Sequence, residues 1–156
     1  MKILHLVIVV GTLSLLCWHC AWDGPSFLGP KVSGGANQNT GIGGVYLYSG
    51  YDAEGRQIVK GVITIEVEDT SHVTGTWNLQ KSGVDSLGRY GPQVGSGNLV
   101  GHFEGDKIGL NLNPDYIDNN VLLAGTIYYW GISGAWNYIG FPGVLNQGTF
   151  RAVRSK

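Results

Sequence analysis

TGTWNL (Thr74–Leu79) and SGAWNY (Ser133–Tyr138) are nearly one word written twice. In an extended strand, residues i and i+2 point to the same face. Gly75 therefore shares a face with Trp77, and Gly134 with Trp136. The same spacing recurs in Gly101 and Phe103, Gly125 and Ile127, and Gly148 and Phe150. Each pair places a gap two residues before a bulky side chain. With consecutive strands antiparallel, the order runs one way in space on the third and seventh strands and the other way on the fourth, sixth and eighth. A ring on one strand can then lie over a glycine on its neighbour, which is how small barrels fill their interiors with alternating small and large residues. Glycine also relieves the tight coiling that closure demands. The expected interior is Trp77, Phe103, Ile127, Trp136 and Phe150. Thr74, Thr76, Asn78, Gln80 and Asn137 face the other way. Neither word holds an acid, a base or a nucleophile other than hydroxyls, so a packing rule explains the repeat better than a duplicated active site.

Outward from these words, turn signals recur about every ten residues from Val45 onward, and no apolar stripe of period 3.6 is long enough for a normal helix. Eight strands are expected: 45–51, 58–68, 73–80, 97–104, 107–113, 121–130, 132–139 and 148–154. EGDK (Glu104–Lys107) and WGIS (Trp130–Ser133) read as tight hairpin turns in which glycine supplies positive φ. Sequence neighbours are then antiparallel neighbours in space. Closing eight such strands removes the unpaired edges that invite aggregation. The fold class expected is all-β, an eight-stranded antiparallel up-and-down barrel. The eight-strand meander, the Gly-x-Trp words and the GTFRAVR ending (Gly148–Arg154) resemble the calycins, the lipocalin-like and avidin-like group of small barrels. The resemblance covers about residues 45–154 and implies a binding architecture. Lipocalins carry Gly-x-Trp on their first barrel strand, whereas here it falls on the third and seventh, so no family ligand contacts are carried over.

In an up-and-down barrel, the loops after odd-numbered strands share one end. Those segments, DAEGRQ, KSGVDSLGRYGPQVGS, PDYIDNN and GFPGVLNQ, are nearly all of the long ones. Concentration of long loops at one mouth is how such scaffolds build sites. The mouth residues expected to meet a ligand are Tyr51, Arg56, Asp85, Arg89, Tyr90, Tyr116 and Phe141, with Asp115 and Asp118 nearby. An eight-stranded barrel is also narrow enough for its side chains to fill it completely. The sixth strand, NVLLAGTIYYW (Asn120–Trp130), is apolar on both faces, so Leu122, Tyr128 and Trp130 form a second expected surface. It would serve an envelope protein or self-association.

The first residues, MKILHLVIVVGTLSLLCWHC, place one Lys before an apolar run suited to the core of a secretory signal. Residues 1–21 are read as a signal peptide, 22–44 as a Gly/Pro/Asn-rich tether and 45–156 as the barrel domain. Export to the periplasm, the envelope or the outside follows. Cys17 and Cys20 are the lipidation candidates, although the residues before each depart from the lipoprotein pattern. Membrane attachment is expected only through this leader or its lipid. Both cysteines lie in the leader, so the barrel is expected to hold no disulfide and no thiol chemistry.

The composition, with 43% hydrophobic and 13% charged residues, 26 glycines and net charge −1, excludes a disordered chain. It also argues against nucleic-acid binding, which needs clustered Lys and Arg. His72, at an expected tight turn, and His102, on the outward face of the fourth strand, each lack a second His or Cys at ligand spacing, so no metal site and no cofactor are expected. Glu66 and Glu68 share the solvent face of an amphipathic strand rather than forming a hydrolytic pair. DYIDNN (Asp115–Asn120) lacks the alternation of a Ca²⁺ loop. The chain is therefore read as a non-enzymatic, water-soluble barrel binding a small, partly apolar ligand at its mouth. The alternative is a structural or interaction module of the envelope with a filled barrel.

Overall fold

A computed structural model describes residues 41–83 and 91–156. The expected leader with its lipidation candidates Cys17 and Cys20, residues 22–40 of the expected tether, and the mouth residues Asp85, Arg89 and Tyr90 lie outside the described residues. Eight strands, β1(Gly44–Tyr51), β2(Gln57–Val67), β3(His72–Lys81), β4(Gly95–Glu104), β5(Lys107–Asn111), β6(Asn120–Tyr128), β7(Gly131–Gly140) and β8(Gly143–Arg154), follow one another around a closed barrel. Every pairing is antiparallel, and β1 pairs with β8 to complete the circle. The fold is all-β and up-and-down, with no helix among the described residues.

The parity of the Gly-x-Trp words sets the interior. Trp77, Phe103, Trp136 and Phe150 are buried together with Tyr46, Tyr48, Ile63, Ile65, Leu79, Leu99, Leu110 and Leu123, and Ile127 packs against this core. The rings do lie over glycines. Trp77 pairs with Gly97 and Trp136 with Gly148. A Cβ on either glycine would meet the partner indole, at 3.1 Å from Trp77 Nε1 and 2.7 Å from Trp136 Nε1. The glycine within each word serves a different need. A Cβ on Gly75 would fall 1.9 Å from the Thr64 carbonyl, and one on Gly134 would fall 2.0 Å from the Ala124 carbonyl. Here glycine permits backbone to approach backbone.

The two words are also equivalent in space. The Trp77 indole crosses β4 and donates its N–H to the carbonyl of Leu112, just past β5. The Trp136 indole crosses β8 and donates to the carbonyl of Tyr51 at the end of β1, 2.8 Å away. A step of four strands thus carries the contact across β3–β4–β5 onto that across β7–β8–β1, so the two halves of the barrel share this one packing device.

Several boundaries differ from the sequence reading. The expected loop GFPGVLNQ is a hairpin: β8 begins at Gly143 and pairs with β7 up to Gly140, leaving only Phe141 and Pro142 as the turn. Gly143 has φ 109°, which side chains rarely adopt, and an irregularity at Tyr138/Ile139 absorbs the change of register. β6 stops at Tyr128, so Trp130 belongs to the turn and Gly131 to β7. β5 stops at Asn111, whose side-chain oxygen accepts from the Asn113 N–H at 2.9 Å and turns the chain. At the start of the barrel, residues 42–44 are part of the packed structure rather than tether: Ile42 is buried and its carbonyl accepts from the Tyr46 hydroxyl.

Candidate functional site

The two ends of the barrel are built differently. Residues 68–71, 105–106 and 129–130 close one end with short turns. Arg154, the last residue of β8, seals that end by donating from Nη1 to the Gly43 carbonyl at 3.0 Å and from Nη2 to the Tyr46 hydroxyl at 2.8 Å. Its guanidinium also lies over the Tyr46 ring.

The other end is the mouth. Its floor is aromatic with a polar centre. Tyr48 stacks on Phe150 with centroids 5.8 Å apart, and its hydroxyl donates to Gln93 Oε1 at 3.1 Å. Burial pushes the Tyr48 phenol far above its usual pKa, so it remains a neutral donor. Gln93 is fully buried, and its Nε2 has no hydrogen-bond partner among the described residues. The chain reaches this position through Gly91, whose φ is 56° and whose missing Cβ leaves room for the Tyr138 ring. Gly91, Pro92 and Gln93 thereby fold over the opening.

The rim is apolar on one side and salt-bridged on the other. Tyr116, Ile117, Phe141, Val144 and Leu145 are all exposed, with Ile117 at 92% and Phe141 at 90%. The loop bearing Ile117 and the β7–β8 hairpin adjoin, because a Cβ on Gly140 would meet Leu145 and, at 3.5 Å, the Asp118 carbonyl. Across the rim, Asp52 organises the β1–β2 loop. It accepts from the main-chain N–H groups of Glu54 at 3.1 Å and Arg56 at 2.8 Å, and pairs with the Arg56 guanidinium at 2.7 Å. Burial pushes the Asp52 carboxyl up. The Arg56 N–H, its guanidinium and charge, and the Glu54 N–H outweigh that and hold it below the usual carboxylate range.

Of the expected ligand residues, Tyr116 and Phe141 stand exposed on this rim. The Arg56 head is held by Asp52 and Glu54, and Tyr51 is half-buried with its carbonyl given to Trp136. Sequence reasoning missed Gln93, Ile117, Val144 and Leu145. For the last two the signal was legible: a Val-Leu pair after Gly143 favours strand over loop.

The expected partner surface divides in two. Leu122 and Tyr128 are six residues apart on one strand, about 20 Å. Tyr128 stacks on Trp130 at 5.1 Å, and Arg151 covers the Trp130 ring at 4.3 Å. Leu122 instead lines a shallow outer depression of about 540 Å³ with Val100, His102 and Gly109. Spacing along the chain did not show that the β3–β4 register places His72 directly opposite His102. Among the described residues, no three His, Cys, Asp or Glu side chains gather in a cluster able to hold a metal ion.

The chain matches no protein-family model, no curated protein and no solved structure. Its eight-stranded closed barrel is compatible with the calycin architecture.

Proposed function

We propose that this chain is an exported, non-catalytic barrel of calycin type that binds a small, partly apolar ligand at its loop-rich end. The observation that carries the reading is the contrast at that end: five large apolar side chains stand exposed on the rim, above a floor holding a buried donor with no partner among the described residues. Buried polar groups are normally hydrogen-bonded, and an exception calls for an explanation. A ligand offering an apolar body to the rim and an oxygen acceptor to Gln93 Nε2 supplies one. The interior itself is occupied by aromatic rings, so the ligand sits on the barrel rather than within it. Export is supported by the basic-then-apolar opening of the chain.

A filled interior and the Tyr128–Trp130–Arg151 stack favour a second reading, a structural module that meets an envelope protein or a second copy through its outer wall. Native mass spectrometry separates the two. The protein, purified from its own host without denaturant, is expected to carry a reproducible additional mass that denaturation releases and that a folded Tyr116→Ser/Phe141→Ser variant lacks. A bare mass from the folded wild-type chain overturns ligand binding. An added mass that survives the rim substitutions moves the site elsewhere.

A further inference from the structure

His72 and His102 are thirty residues apart in the chain, yet they are cross-strand partners on the outer wall of β3 and β4. The hydrogen bonds around them define the kind of pair. The Phe103 N–H donates to the Ser71 carbonyl at 2.7 Å, one residue to either side of the two histidines. That pattern brackets a non-hydrogen-bonded pair, the type in which antiparallel strands bring side chains closest, with Cα atoms about 4.5 Å apart. Side chains so placed have Cβ atoms close enough for one to reach the other.

The His72 ring is already oriented. Its Nδ1 lies 2.9 Å from Asp69 Oδ2 and 3.0 Å from Asp69 Oδ1. An ionised carboxylate only accepts hydrogen bonds, so Nδ1 carries the proton and neutral His72 keeps its lone pair on Nε2. A carboxylate behind the imidazole is the usual support of a metal-binding histidine, fixing tautomer and ring orientation. The His102 ring rests over Gly109, where a Cβ would come within 3.0 Å of it. It is exposed, so its χ angles are free to turn it toward His72 on the picosecond-to-nanosecond scale. Both imidazoles border the same outer depression.

We propose that His72 and His102 form a two-imidazole site for a divalent transition cation, with Asp69 as the positioning residue behind His72 and water in the remaining positions. Imidazole nitrogens suit Cu²⁺, Ni²⁺ and Zn²⁺, and Cu²⁺ binds tightest of the three. Nitrogen–metal bonds of about 2.0–2.1 Å, as for Zn²⁺, are within reach of two rings on a close cross-strand pair. The ion would tie the first residue of β3 to β4 at the sealed end, remote from the mouth. The site is therefore independent of the ligand proposed there.

The test is titration of the full chain, with Cys17 and Cys20 alkylated, by Cu²⁺. It is read by isothermal calorimetry and by the nitrogen couplings in the electron paramagnetic resonance spectrum. Binding by His5 and His19 persists in every variant, so the site is read as a difference. His102→Asn and His72→Asn are each expected to remove one equivalent together with its two-nitrogen signature. Asp69→Asn is expected to keep the equivalent and weaken it by about 10–100-fold. His102→Asn touches only an exposed side chain, so the variant keeps its fold, which circular dichroism verifies. An equivalent count unchanged in His102→Asn overturns the site. So does a loss in His72→Asn alone, which would mean a single histidine acting without its partner.

Discussion

The β3–β4–β5 and β7–β8–β1 halves perform the same act of packing with different tolerances. In each, an indole lies over a glycine on the next strand and hands its N–H to a carbonyl one strand further on. At Gly97 the nearest neighbours of an added methyl would be atoms of the Trp77 ring, at 3.1–3.2 Å. At Gly148 it would fall 2.0 Å from the Tyr51 carbonyl and 2.7 Å from the Trp136 ring. In one half glycine makes room for a side-chain ring, which an added methyl would have to displace by a few tenths of an ångström. In the other it lets the backbone of β8 close on β1, where the barrel completes its circle. One sequence word therefore marks a packing contact in the first half and the seam of closure in the second.

The equality of the halves is tested by Trp77→Ala and Trp136→Ala. Each removes a buried indole and is expected to cost about 3–5 kcal/mol of unfolding free energy, read by urea denaturation. A Trp77→Ala cost less than half that of Trp136→Ala would show that the halves resemble each other in geometry but not in energy. The inequality is tested by the glycines. Gly148→Ala is expected to cost about 3 kcal/mol or more, because a carbonyl cannot step aside, and Gly97→Ala about 1 kcal/mol. Equal costs would remove the seam argument.

The sequence made the interior legible because strand parity is a local property. Trp77, Phe103, Trp136 and Phe150 could be turned inward from their spacing to glycine alone, and the up-and-down order followed from tight turns such as Glu104–Lys107. What it did not show depends on register, which loops set over long separations. The pairing of His72 with His102 needs the β3–β4 connection, and the handing of the Trp77 N–H to Leu112 needs three strands in place. In GTFRAVR nothing distinguishes Arg154 from Arg151; only its position opposite Tyr46 makes it a seal. At the mouth, Tyr116 and Phe141 were visible as aromatics in turn-rich segments. Gln93 was not, since nothing in GPQVG marks a side chain directed into the barrel.

The turns that lead into β3 and β7 extend the comparison to pH. The first is held by Asp69, whose carboxylate accepts from the main-chain N–H of Ser71 at 2.7 Å and of His72 at 2.8 Å, and from the His72 ring. The Ser71 N–H, then the His72 N–H and ring, hold its pKa down to about 2. The second, Tyr129–Trp130, has no carboxylate in the turn and is held by the Trp130 stack with Tyr128 and Arg151. A carboxyl depressed from an unfolded value near 3.9 stabilises the fold fully above that value and loses the contribution as pH falls through about 2. The β2–β3 turn should therefore loosen between about pH 4 and pH 2 while the β6–β7 turn does not. Amide hydrogen exchange reads this directly: protection at Ser71 and His72 should fall over that range, with Gly131 and Ile132 unchanged. In Asp69→Asn the pH dependence at Ser71 and His72 should vanish, with a thermal midpoint slightly lower than wild type at neutral pH, because the carboxylate is exposed and its net worth small. Parallel loss of protection in both turns would mean that the barrel opens as one unit, and that the two halves differ in their bonds without differing in their dynamics.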